Sequence, residues 1–219
     1  MATISVNGVE LYYTQTGKGA PLLFLHGNGE DHTTFTPLIA ELSRDFTCYA
    51  IDSRNHGKSA AHPDYHYDAM MKDIHAFITA LNLAPVRIVG FSDGAIITML
   101  LAMRYPQLAE RIVLLGPNLS PNDFTPACTR YVERLYRLDP NPLYKMMLEE
   151  PNILPEDLHA ISAKTLIMGG ENDVYIEGTF ETIAHNIEGA QLFILKDHDH
   201  SSYIVQNDLI YAWLYDFLK

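Results

Sequence analysis

The chain has 219 residues, 47% of them apolar, which suffices for one domain with a sizeable core and leaves too little for a second. Its formal charge of −12 repels phosphate backbones and argues against nucleic acid as a partner, and no run of roughly 18 apolar residues offers a membrane span. Two cysteines, Cys48 and Cys128, cannot build a disulfide framework and read as reduced thiols; the first residues lack the basic and apolar blocks of a secretory signal, so the expected location is cytoplasmic.

Short apolar runs alternate with helix-like segments, the pattern of a mostly parallel α/β sheet with helices on both faces. Runs 3–6 and 10–14 flank Asn7-Gly8, a two-residue hairpin signal. A strand at 21–25 ends in His26-Gly27-Asn28-Gly29 and precedes a helix over about 33–43, with Phe35, Leu38, Ile39 and Leu42 on one face. Strand 47–51 runs into 52–59, helix 65–81 follows, and strand 86–91 leads straight into Ser92. Helix 95–105 is almost wholly apolar, and strand 111–115 follows it. Residues 118–159 then hold six prolines and two helices, 128–138 and 142–149. Strand 165–168, a helix near 176–187, strand 191–195 and a helix over about 203–218 complete the chain. The expected organisation is one domain, 1–219, with a short helical insertion at about 119–160; insertions of this length in compact domains are usually functional.

Gly90-Phe91-Ser92-Asp93-Gly94 fits Gly-x-Ser-x-Gly, a weak pattern alone. Its setting strengthens it: a β-branched strand precedes the serine and a long helix follows, so the chain turns sharply at Ser92 and lifts the hydroxyl to a helix N-terminus. A serine hydroxyl needs a base. Among ten histidines, His200 in Asp197-His198-Asp199-His200-Ser201-Ser202 stands five positions past Leu195 in a loop over the C-terminal sheet edge, with His198 as competitor. The base wants a carboxylate partner. Asp173, deepest in the loop after strand 165–168, is the candidate, with Glu171 and Asp197 as alternatives. Negative charge developing on a carbonyl oxygen would rest on the backbone N–H groups of Asp93 and Asn28, with Gly29 second to Asn28. His26 reads as a buried residue holding that loop rather than as a base.

With these residues in place, the whole chain resembles the α/β-hydrolase superfamily, in particular its small esterase-like members with a short lid. The Asp52-Ser53-Arg54-Asn55-His56-Gly57-Lys58-Ser59 segment looks like the family's Asp-x-x-Gly-x-Gly-x-Ser loop, with Asn55 where glycine is usual; asparagine tolerates the same left-handed angles. The resemblance implies an eight-stranded, mostly parallel sheet, a Ser92–Asp173–His200 triad and no metal or organic cofactor; it does not identify the substrate, and cleavage of a small ester-type molecule is the leading reading. The fold also hosts thioester, amide and carbon–carbon bond cleavage and cofactor-free peroxidation, and these share the same residues. In this family the insertion covers the site. Its helices carry Tyr131, Leu135 and Leu138, then Leu143, Met146 and Met147, most of them expected to pack on the sheet; Phe124, Tyr131, Met146 and Met147 are the candidates for a substrate pocket. Metal-dependent hydrolysis through Asp197–His200 lacks a second ligand cluster, and the complete triad argues against a non-enzymatic ligand receptor, although some receptors on this scaffold keep theirs. Nothing in the sequence specifies an oligomeric state.

Overall fold

The computed structural model describes residues 2–219. Eight strands, β1 (Ala2–Val6), β2 (Val9–Thr16), β3 (Ala20–Leu25), β4 (Phe46–Ile51), β5 (Val86–Phe91), β6 (Ala109–Leu115), β7 (Lys164–Asn172) and β8 (Gln191–Asp199), form one sheet in the order β1-β2-β4-β3-β5-β6-β7-β8. β1 and β2 make an antiparallel hairpin, β2 runs antiparallel to β4, and every pairing from β4 to β8 is parallel. Asn7 (φ 47°) and Gly8 (φ 79°) both take the left-handed angles that a two-residue turn needs.

Alternation along the central strands divides the core. Leu23, Leu25, Ile88, Ile112, Leu114 and Ile167 point to one face, packed under α2 (Tyr67–Ala80), α3 (Asp93–Arg104) and α6 (Thr179–His185). Leu22, Phe24, Val89, Val113, Leu115 and Met168 point to the other, under α1 (Thr36–Leu42) and α7 (Tyr211–Leu218). Between β6 and β7 lie two 3-10 turns and the helices α4 (Pro126–Leu138) and α5 (Pro142–Glu149). Each helix has proline in its first turn and a side-chain cap, Thr125 Oγ1 accepting from the Cys128 N–H and Asn141 Oδ1 from the Leu143 N–H.

Several helices are shorter than the periodicity predicts, and for two of them local hydrogen bonds give the reason. The helix predicted over 33–43 begins at Thr36, because Asp31 captures the Thr33 N–H and hydroxyl in local bonds of 2.8 and 2.6 Å, and Pro37 suits only a first turn. The helix predicted over 203–218 begins at Tyr211. Gln206 sits at φ 56°, and the Asn207 amide spends itself on the Ser202 carbonyl (2.9 Å) and the Leu209 N–H (3.1 Å). Conversely, β7 and β8 continue past their apolar runs to Asn172 and Asp199, which pair with each other.

A buried ion pair ties the hairpin, the β4 loop and α2 together. The Arg54 guanidinium donates twice to Asp73, at 2.7 and 2.8 Å, and the Asn7 amide adds a bond of 3.1 Å. Both ionic side chains are almost fully buried. Asp73→Ala strands the guanidinium and is expected to cost about 3–5 kcal/mol, measured by denaturant unfolding. Asn55, at φ 67°, occupies the left-handed position expected of it in the same loop.

Candidate active site

The elbow is built as the sequence demands. β5 delivers Ser92 at φ 51°, ψ −113°, outside the comfortable range of any residue with a Cβ. Gly94 is required because a Cβ there would run into the Leu25 carbonyl oxygen of β3. The strained turn holds the serine hydroxyl above the C-terminal sheet edge.

Asp173 and His200 reach the same edge by sheet register. Asn172 and Asp199 are paired across β7 and β8, and the two candidate residues are the first past the end of each strand. His200 therefore does not hang from a five-residue loop as predicted; strand pairing positions it directly. His200 Nδ1 lies 2.7 Å from Asp173 Oδ1, and Nε2 lies 3.1 Å from Ser92 Oγ. With the carboxylate accepting from Nδ1–H, Nε2 is left to accept from the serine hydroxyl. Asp173, whose side chain is 3% exposed, also accepts the Val174 N–H at 2.8 Å and the Gly170 N–H at 3.2 Å. Phe91 and Tyr175 grip the imidazole, the latter edge-on at 5.3 Å between ring centroids. The alternatives are engaged elsewhere: His198 Nδ1 meets Ser202 Oγ at 3.0 Å, and Glu171 accepts the Asp197 N–H at 3.0 Å.

Asn28 lies beside the elbow in the loop that follows β3, and among the described residues neither its N–H nor that of Asp93 donates within the protein. His26 is buried and holds this loop as expected, Nδ1 against the Gly27 carbonyl at 2.8 Å and Nε2 accepting the Ser53 N–H at 3.1 Å. Burial lowers its pKa from 6.5 to about 4, helped by neighbouring His56. Because the folded value is depressed, the unfolded chain binds the extra proton first. Stability is therefore complete above about pH 6.5 and falls as pH drops toward 4, by about 3 kcal/mol at roughly 1.4 kcal/mol per pH unit. Urea melts across that window should show this slope, and His26→Asn should flatten it.

A cavity of about 270 Å³ opens over Ser92 and His200. Of the four predicted pocket residues, Phe124, Tyr131 and Met147 line it. Met146 does not: it lies on the core side of α5, 4% exposed, packed into the sheet cluster. Tyr131 (61% exposed) and Leu138 (73%) do not pack on the sheet, because α4 buries only Val132. Cys128, Leu135, Tyr144, Val174 and Tyr175 complete the wall, with Glu30 at its edge. Sequence reasoning missed Tyr175, which stacks on Phe124 at 5.4 Å and is buried; its place two residues after Asp173 was the available signal. Burial raises its pKa well above the ordinary tyrosine value, so the phenol stays protonated beside Ser92. Burial also raises the pKa of Glu30. A larger concavity of about 670 Å³, lined by Arg111, Lys164 and Trp213, lies where β6, β7 and β8 begin and touches none of these groups.

Asp31, His32 and Asp52 could in principle surround a cation. Asp52 is instead consumed by the His32 N–H (2.6 Å), the His32 ring (2.8 Å) and the Lys58 N–H (2.8 Å), as a loop anchor would be.

The family model described as alpha/beta hydrolase fold matches residues 20–139. The chain belongs to this family. It is 26% identical to Serine hydrolase BPHL of Homo sapiens over 258 residues, covering all of this chain and 86% of the human protein. Among solved structures it superimposes on carboxylesterase CesB (YbfK) from Bacillus subtilis with a TM-score of 0.85 at 20% identity, over 99% of this chain and 90% of the other. The enol-lactonase from Burkholderia xenovorans LB400 gives 0.83 at 22%, over 99% of both chains. The two solved structures share this chain's fold. No described helix is long and apolar enough to cross a membrane.

Proposed function

We propose that the protein is a serine hydrolase that cleaves a small carboxylic ester through an acyl-enzyme intermediate. The observation that carries the reading is the pair of contacts from Asp173 to His200 (2.7 Å) and from His200 to Ser92 (3.1 Å) at the floor of a largely apolar cavity. Ser92 attacks the acyl carbonyl while His200 Nε2 takes its proton. The oxyanion rests on the Asn28 and Asp93 N–H groups, and Asp173 stabilises the imidazolium without taking the proton. His200 then protonates the departing alkoxide, and water repeats the sequence on the acyl-enzyme.

Phe124, Tyr131, Leu135 and Met147 offer an apolar wall, and about 270 Å³ suits a modest acyl or alcohol group. The test is a panel of chromogenic esters of increasing chain length, with thioesters and amides, run on wild type beside Ser92→Ala. Turnover of short-chain esters that disappears in the variant is expected. Preference for amides or thioesters, or equal activity in both proteins, would overturn the reading.

A further inference from the structure

Asp93 follows the nucleophile and, as the first residue of α3, would ordinarily be read as an exposed acid complementing the helix dipole. It is instead 5% exposed, and both carboxylate oxygens are occupied by groups from other elements. Oδ1 accepts from the Tyr67 hydroxyl at 2.8 Å, and Oδ2 accepts from the Asn28 side-chain amide at 2.9 Å. Asn28 and Asp93 are the two residues whose backbone N–H groups are proposed to receive the oxyanion. Their backbones sit on separate segments, the loop after β3 and the start of α3, and the side-chain bond spans the gap between them. The same Asn28 amide leans toward the Leu143 carbonyl in the first turn of α5, at 3.5 Å, and the Tyr67 N–H donates to Glu150 at the end of α5, at 3.1 Å.

We infer that the Asn28–Asp93 side-chain bond is a strut that sets the spacing of the two oxyanion donors, making both side chains positioning residues for the transition state. The inference rests on the proposed ester hydrolysis. Oxyanion donors act only when aimed at where the charged oxygen will sit, and a shift of well under 1 Å weakens them. The strut costs a buried carboxyl, whose pKa burial raises against the lowering effect of its two hydrogen bonds. A carboxyl is nevertheless suited to the place, because it can accept from a phenol and an amide at once. The substrate in its ground state makes little use of the two donors, so losing the strut should leave substrate binding almost untouched.

The test is Asn28→Ala, which removes the strut and leaves both backbone donors, with Asp93→Ala and the double variant to close a cycle. The expected result for Asn28→Ala is a fall in kcat of about 10- to 100-fold with KM within about two-fold, and an equal weakening of a trifluoromethyl ketone that mimics the tetrahedral intermediate. The double variant should be no worse than the weaker single variant. If Asn28→Ala fails to fold, Asn28→Ser, too short to span the gap, carries the same expectation. A kcat within two-fold of wild type, or a loss confined to KM or to thermal stability, would overturn the inference while leaving ester hydrolysis standing. Wild-type protein that turns over no ester would overturn both.

Discussion

Ser92→Ala should lower ester turnover by about 10⁴- to 10⁶-fold while leaving stability within about 1 kcal/mol of wild type. The two halves of this result have different origins. The Ser92 side chain does not cap α3, and its hydroxyl faces the His200 ring rather than the core, so little packing is lost. Alanine inherits the same φ of 51°, so the backbone strain stays. What disappears is the atom that would bond to the acyl carbon, and His200 then has no proton to take. The residual rate comes from the oxyanion donors and binding alone. Steady-state turnover of a short-chain ester, beside a thermal melt, measures both halves.

Asp173→Asn should cost about 10³- to 10⁴-fold in kcat, with KM little changed. The carboxylate accepts from His200, Val174 and Gly170, and an amide cannot satisfy all three. With its NH₂ toward Gly170, it opposes one N–H to another. With its NH₂ toward His200, it forces the imidazole proton onto Nε2, where it faces Ser92 and blocks proton transfer. In either orientation the charge that balances the imidazolium is gone. Pre-steady-state acylation by a chromogenic ester should slow by the same factor as kcat.

The β/α alternation, the elbow and the order of the candidate triad were legible because each depends on local signals: β-branched runs, glycines at a close approach, and polar residues just past a strand. The helical insertion was legible through its prolines and caps. Less visible was what depends on register and facing. The apolar runs of β7 and β8 end at Met168 and Leu195, yet strand pairing continues through Gly-rich and charged residues to Asn172 and Asp199. No periodicity reports that extension, because β8 is an edge strand with little to bury. Met146 and Met147 are chemically alike and adjacent, and only the rotation of α5 decides that one enters the core and the other the cavity. Tyr175 is hard to read from the sequence for a similar reason. Its value comes from Phe124, 51 positions upstream, with which it forms an isolated antiparallel bridge. The Asn28–Asp93 bond joins residues 65 positions apart and had no sequence signature at all.

Intact-mass and peptide-mapping analysis after exposure of the folded wild-type protein to a fluorophosphonate gives the most direct reading of nucleophilic catalysis. One adduct per chain on Ser92, absent in Ser92→Ala and formed far more slowly in Asp173→Asn, is the predicted result. Folded protein that hydrolyses ester yet takes up no label, or takes it up on another residue, would contradict attack by Ser92.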